Sequence, residues 1–432
     1  MIGATEPESF PPRTSRPVRA VIAIVGLLAV VQALASRPPT PQPTLFDERR
    51  FALYATNLAD RGFYGDEAGK WPATVELRAV GYSAHVPPGY PFFLAAFWKI
   101  AGSFRAVEFV QALLVGATTV MTMLIALRLF GTAAGIASGL LLVATGVLGT
   151  YSKLMLSEVL SVTTLTAGLL VLVVAFERRS TPLLALAGVV LGLATLVRPQ
   201  SLLLPLALGV WIWFAWGDRR GMAALVLIAT FAITLVPWTA RNYARLDGFV
   251  PVSAMTWANL FLVNNPQATG TFRLPERFVG EDEVRRIRAL PELQQEAEWR
   301  EKVTSYWSDE PGDAFGGWLR NGRVFLTRED AVMRLYYGIA GDRPPRLDER
   351  ILLILAGAGA LSLIAARRLG RSAWPPLIVV AYSMGFFCFF LPEARYRVGM
   401  LPMLAVVAAG PAQIAWELLR SAARGRSGTA FA

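Results

Sequence analysis

The sequence predicts an all-α polytopic membrane protein of about ten transmembrane helices. Three observations predict it. Apolar residues come in runs close to the ~20 that carry a helix across a bilayer. Charged residues are only 17% of the 432-residue chain, against about 25% in an average soluble protein. Mean hydropathy is +0.45. This composition excludes a soluble enzyme, a disordered chain and a disulfide scaffold. Cys388 and His85 are the one cysteine and the one histidine, so no intrachain disulfide, Cys cluster or multi-His metal motif is available.

The elements follow in order. The N-terminal tail, 1–17, is polar and proline-rich, and disorder is expected there. The first apolar run is Ala20–Ala35. Its end, Ala33-Leu34-Ala35, resembles a signal-peptidase site, but an uncleaved span is the favoured reading. Nine further runs lie at about 106–128, 133–150, 156–176, 182–198, 201–217, 222–239, 351–366, 374–391 and 397–417. The organisation is then a transmembrane module at 18–239 containing an outer loop at 36–105, an outer cap loop at 240–350, C-terminal helices at 351–418 and a basic tail at 419–432.

Basic residues fix the expected orientation. With ten spans, Arg13, Arg16 and Arg19, then Arg128, Arg178 and Arg179, Arg219 and Arg220, Arg367, Arg368 and Arg371, and Arg420, Arg424 and Arg426 all fall on one side. The positive-inside bias makes that side the cytoplasm and accounts for the net charge of +11 without nucleic acid. Both termini are expected inside, and both long loops outside. The compact chain suggests a bacterial inner membrane.

The first outer loop holds two helical patterns. Leu45 to Phe63 has apolar residues at helical spacing with charges between, which predicts a membrane-surface helix. Phe92 to Ala101 is apolar but too short to span, and Pro87-Pro88 stiffens its approach. In the second loop, Glu281 to Trp307 reads as charged and amphipathic, and Phe315 to Leu326 as a further apolar segment. A loop this long predicts a small structured cap.

Charges on the outer side stand out. They are Asp47 and Glu48, Lys153 and Glu158, Arg198, Arg241, and Glu393, Arg395 and Arg397. Each has an ordinary reading. Glu158 can snorkel, Arg198 and Arg241 can meet lipid headgroups, Asp47 can sit in a helix first turn, and Glu393 with Arg395 and Arg397 can form a surface ion pair. Their shared side points instead to a site. A carboxylate pair with several arginines suits activation of a hydroxyl beside a lipid phosphate. The carboxylate takes the proton, and arginine grips the phosphate in two-pronged fashion.

The motifs resemble the GT-C superfamily of integral-membrane glycosyltransferases, in the branch of protein O-mannosyltransferases and lipid A aminoarabinose transferases. They are Asp47-Glu48 with Tyr54, Pro87-Pro88-Gly89-Tyr90-Pro91, Leu129-Phe130-Gly131, Ser157-Glu158, Gly192 to Arg198-Pro199, Pro237-Trp238 with Arg241-Asn242, and Glu393-Ala394-Arg395-Tyr396. They run in the family's order along nearly the whole chain. The resemblance implies a GT-C-like fold and transfer of a sugar from a polyprenyl-phosphate donor to an outer-face hydroxyl, with inversion. It implies Asp47 as general base and Glu48 as its helper. It implies Arg395, Arg241 and Arg198 as donor-phosphate ligands. Glu158, Glu393, His85, Tyr54, Tyr82 and Tyr396 are the implied substrate-binding residues. Two departures matter. His85-Val86 stands where the aminoarabinose transferases tend to show Lys before Pro-Pro. A second-loop His that some relatives use for metal is missing, so a metal is not favoured. The expected partners are a polyprenyl-phosphate-linked sugar, an acceptor lipid, glycan or protein, and membrane lipids. The rival readings are a polyprenyl-diphosphate-dependent ligase or polymerase, a lipid-linked sugar transporter or flippase, and a silent assembly subunit.

Overall fold

A computed structural model describes residues 15–36, 46–66, 81–327, 349–368 and 370–427. Most of the tail expected to be disordered, and residues 328–348 of the expected cap, lie outside the described residues.

The first half of the chain comprises α1 (Arg16–Ala35), α2 (Phe46–Arg61), α3 (Gly89–Ala101), α4 (Arg105–Phe130), α5 (Thr132–Thr145), α6 (Val147–Tyr151), α7 (Glu158–Arg178), α8 (Thr181–Val197), α9 (Leu204–Ala215) and α10 (Arg220–Leu246). Between α2 and α3, β1 (Gly65–Asp66) and β2 (Gly81–Tyr82) pair antiparallel, with Gly65 opposite Tyr82. The second half has α11 (Thr256–Phe261), α12 (Glu276–Val279), α13 (Glu281–Arg288), α14 (Glu292–Asp309), α15 (Pro311–Thr327), α16 (Glu349–Ala365), α17 (Trp374–Phe389) and α18 (Leu401–Ser427). A 3₁₀ turn, Ala394–Met400, joins the last two.

Among the described residues, six helices are long and apolar enough to cross a membrane: Arg16–Ala35, Arg105–Phe130, Glu158–Arg178, Arg220–Leu246, Arg371–Phe389 and Arg395–Ala423. Four shorter apolar helices, Thr132–Thr145, Thr181–Val197, Pro199–Ala215 and Arg350–Ala365, stand at the other four positions expected to span. Their outward sides carry exposed Phe214, Ile354 and Leu361. Such surface suits hydrocarbon rather than water, and the protein is an integral membrane protein. Inward faces pack as one cluster around Leu172, Leu191, Leu208 and Leu227, and a second around Val115, Leu156, Phe387 and Leu404.

Close packing follows from small residues. A Cβ on Gly192 of α8 would lie 2.6 Å from Thr234 Cβ and 3.2 Å from the Phe231 carbonyl oxygen of α10. The two helices therefore touch backbone to side chain just below the end of α8.

Charged residues sort to two ends. At one end Arg128 pairs with Glu177 at 2.5 Å, Arg368 pairs with Glu417 at 2.5 Å, and Trp211 Nε1 donates to the Arg371 carbonyl at 2.9 Å. This is the end expected to carry the basic residues. Asp47, Glu158, Arg198 and Arg395 meet at the opposite end.

Three elements differ from expectation, each for a local reason. The run 133–150 breaks after Thr145, where Gly146 takes a left-handed conformation and starts α6. The charged stretch from Glu281 is two helices, because Pro291 cannot continue the first and opens the second. The basic C-terminal segment set apart as a tail continues α18 to Ser427, since its Ala, Leu and Arg residues favour helix.

The described part of the cap rests on the bundle. Glu296 accepts from the backbone N–H groups of Trp257 and Ala258, Phe261 packs on Trp299, and Trp307 stacks on Phe389 at the C-terminal end of α17.

Candidate active site

Local sequence places each functional side chain. Asp47 and Glu48 lie in the first turn of α2, where acids are favoured by the helix dipole. Pro199 stops α8, and the residue before a proline is pushed to extended backbone. Arg198 accordingly has φ −144° and ψ 117°, which turns its side chain off the helix. Gly89 at the start of α3 touches the same spot. A Cβ there would lie 2.7 Å from the backbone nitrogen of Val197, so only glycine lets the surface helix approach. Pro392 and the 3₁₀ turn carry Glu393, Arg395 and Tyr396 back toward α2.

The first group of charges converges from four elements. Arg395 Nη1 donates to Asp47 Oδ2 at 2.9 Å. Its Nε lies 2.8 Å from Glu393 Oε2. Arg198 Nη1 lies 2.7 Å from Glu158 Oε1 and donates to Ser157 Oγ at 3.2 Å. Tyr396 stands between the two arginines, each guanidinium carbon being 5.1 Å from its ring centroid. A small opening is lined by Glu158, Ser161, Arg198, Gln200, Arg395 and Tyr396, among others. Glu158 is buried, whereas the Asp47 side chain is 41% exposed. The protein surroundings push the Asp47 carboxyl upward. The charge and hydrogen bond of Arg395, with the charges of Arg50 and Arg198, outweigh this and hold it below the usual carboxylate value. Asp47 is ionised at neutral pH.

Glu48 is directed differently. It is buried, and its Oε1 accepts from the backbone N–H of Met155 at 2.7 Å. It pins the turn before α7.

Arg241 belongs to a second group. Its guanidinium donates to the carbonyl oxygens of Ser83 at 2.9 Å and Tyr64 at 2.6 Å, and to Asn242 Oδ1 at 3.0 Å. Trp238 covers it at 4.8 Å. Neighbouring residues of the same motif hold the following loop: Trp238 Nε1 donates to Val252 O, and Asn242 Nδ2 to Val250 O. Tyr54 is fully buried, and its hydroxyl bonds Ser83 Oγ at 2.9 Å. Tyr82 lies at the surface beneath Arg245, 4.1 Å from its ring centroid. Arg241, Tyr54 and Tyr82 therefore shape the first loop and do not line the opening beside Arg395 and Arg198.

His85 sits where this loop meets the cap. Its Nε2 is 3.8 Å from Glu292 Oε2, past hydrogen-bond reach, while Glu292 Oε1 accepts from Ala84 N at 2.8 Å. Burial, with the charge of Arg50, lowers the His85 pKa to about 3. The imidazole is neutral.

Gln200, Ser161 and Arg50 join the site without having been singled out. Gln200 follows the Arg198-Pro199 turn directly, and Arg50 lies three residues after Asp47, on the same face of α2. Among the described residues, no three His, Cys, Asp or Glu side chains are grouped to hold a metal ion.

Residues 85–240 match the family described as dolichyl-phosphate-mannose-protein mannosyltransferase. The curated proteins give no match. Among solved structures, the archaeal oligosaccharyltransferase AglB from Archaeoglobus fulgidus, in complex with an inhibitory peptide and a dolichol-phosphate, is 14% identical with a TM-score of 0.56. That match covers 96% of this chain and 52% of that one. The apo form of the Archaeoglobus fulgidus oligosaccharyltransferase is 13% identical with a TM-score of 0.56, covering 95% and 52%. ArnT from Cupriavidus metallidurans, bound to undecaprenyl phosphate, is 16% identical and covers 93% and 78%, at a TM-score of 0.41. The chain spans about half the length of the archaeal enzymes, and at these identities the likeness is one of fold. The mannosyltransferase family match thus covers residues 85–240, and over the rest of the chain the likeness is to the fold of membrane-embedded oligosaccharyltransferases.

Proposed function

We propose that the protein is an inverting glycosyltransferase. It moves a sugar from a polyprenyl-phosphate donor to a hydroxyl of a lipid, glycan or protein acceptor. The observation that carries this reading is the pairing of Asp47 with Arg395, whose guanidinium lines one opening together with Arg198. The acceptor oxygen attacks the anomeric carbon as Asp47 takes its proton. The bond from that carbon to the phosphate oxygen breaks, and the electron pair leaves with polyprenyl phosphate. Arg395 and Arg198 offset the charge on that leaving group. A single displacement inverts the anomeric centre.

The ion pairs give the reaction an order. In the absence of donor, Arg395 keeps Asp47 acidic and therefore a weak base. A phosphate that binds Arg395 takes over that guanidinium, and the Asp47 carboxylate then becomes more basic. Proton removal is tied in this way to donor occupancy, which limits idle turnover. The reaction end is the one away from the basic residues, and the positive-inside bias makes it the outer face. The cap above it restricts water and spares the donor from hydrolysis.

The test uses the full chain in lipid nanodiscs with a panel of labelled polyprenyl-phosphate sugars. Release of polyprenyl phosphate by wild type, lost in Asp47→Asn, is the expected result. No release from any member of the panel, with crude membrane extract as acceptor, overturns the donor assignment.

A further inference from the structure

A chain of buried polar groups runs from α3 to the site. Gln111 of α4 is fully buried within an apolar helix. Its Nε2 donates to two backbone carbonyls of the turn before α7, Ser152 O at 3.0 Å and Leu154 O at 2.8 Å. Its Oε1 accepts from the Tyr90 hydroxyl at 3.1 Å. Tyr90 is fully buried and packs edge-on against Phe51 of α2, with ring centroids 5.0 Å apart. Phe51 follows Asp47 by one helical turn.

The turn that Gln111 holds is not regular helix. Residues 152–157 connect α6 to α7 as buried irregular backbone. Such backbone at the end of a membrane bundle needs partners from elsewhere. Gln111 serves two of its carbonyls and Glu48 serves the Met155 N–H. The turn ends at Ser157 and Glu158, both of which contact Arg198.

We infer that Tyr90 and Gln111 are positioning residues, a relay that sets the 152–157 turn and through it Glu48, Glu158 and Arg198. Two carbonyls on one side of the Gln111 amide leave only one productive orientation. The Nε2 must face the turn, and the Oε1 needs a donor on the other side. Tyr90 is that donor. Burial, with the charges of Glu158 and Glu48, raises its phenol pKa well above the ordinary value, so it keeps its proton. The inference rests on the transfer reading above for its effect on rate, and on geometry alone for its effect on the turn.

Tyr90→Phe tests it, because the ring and its packing stay while one hydroxyl goes. The full chain is studied in nanodiscs beside Gln111→Met and the double variant. Two quantities are read: amide hydrogen exchange in 152–157, and kcat and KM for a donor that turns over. The expected result for Tyr90→Phe is faster exchange in that turn and a kcat lower by about 10- to 100-fold, as small misplacements cost. The acceptor KM should hold, and the thermal midpoint should fall modestly, because Gln111 Oε1 loses its buried donor. The double variant should be no slower than Gln111→Met, because the two groups act through one chain. Wild-type exchange and kcat in Tyr90→Phe overturn the relay, as do additive losses in the double variant. If wild type turns over no polyprenyl-phosphate sugar, the donor reading fails separately. The exchange measurement, with polyprenyl-phosphate affinity, still decides the relay.

Discussion

Two arginine-centred groups stand at one end of the bundle, and they are built from different partners. Arg395 and Arg198 end on the carboxylates of Asp47, Glu393 and Glu158 beside an opening. Arg241 ends on the carbonyl oxygens of Ser83 and Tyr64, under the indole of Trp238. A carboxylate is an anion that another anion can replace. A backbone carbonyl is fixed in the fold and has no charge to exchange. The first group is therefore suited to trade partners with a phosphate, and the second to hold the shape of a loop. Arginine in a family motif marks neither role by itself.

Several measurements break or sharpen this contrast. The largest expected effect is at Asp47. Replacing it by Asn should lower kcat by about 10²- to 10⁴-fold while donor binding survives, as measured by turnover and by polyprenyl-phosphate titration. Next come the two arginines, compared directly. Arg395→Gln should weaken donor binding and leave the thermal midpoint near wild type. It should also raise the acid limb of the pH–rate profile, because the Asp47 carboxyl loses the group that depresses it. Arg241→Leu should do the reverse. It leaves two carbonyl oxygens without that donor, at about 1–3 kcal/mol each. The thermal midpoint should fall, and the acid limb of the surviving enzyme should stay in place. If both substitutions act alike, the two groups are one site.

A smaller effect belongs to His85. Its folded pKa, near 3, is below the unfolded value of about 6.5. The unfolded chain thus takes up a proton as pH falls through that window and the folded chain does not. Stability is full above about pH 6.5 and is lost progressively toward pH 3. His85→Gln should flatten that part of a thermal-midpoint series. The smallest effect is expected at the opposite end of the bundle. Arg368 and Glu417 are both exposed, and Glu417→Gln should change the midpoint by no more than about 1 kcal/mol of stability.

Much of the frame was legible in the sequence. Apolar runs have one physical cause, the thickness of the bilayer, and α1, α4, α7 and α10 follow from it. The surface helix α2 was legible from its alternation of Phe51, Tyr54 and Leu58 with charges. The grouping of Asp47, Glu158, Arg198 and Arg395 was legible as charges on one side. What separates Arg241 from them was not. Its partners are the carbonyls of Ser83 and Tyr64, and a backbone carbonyl is present at every position, so the sequence carries no mark of it. Glu48 was hidden in the same way, since its partner is the Met155 N–H. Gln111 did carry a mark, as a primary amide inside an apolar span. The break at Pro291 was also visible in the sequence, and the amphipathic pattern on both sides concealed it.

The contact at Gly89 has a bearing on the width of the site. The helix that begins there lies in the surface layer, and Val197 ends a helix of the membrane layer. Gly89 brings no side chain to the contact, which is closer than a Cβ there would permit. Whatever tilts one layer must carry the end of the other along with it. A single methyl at position 89 would act as a shim, displacing the layers by on the order of 1 Å to restore ordinary contact. The approach of α3 to the Arg198 turn is thus a mechanical setting of the fold, and the part that sets it is a missing side chain.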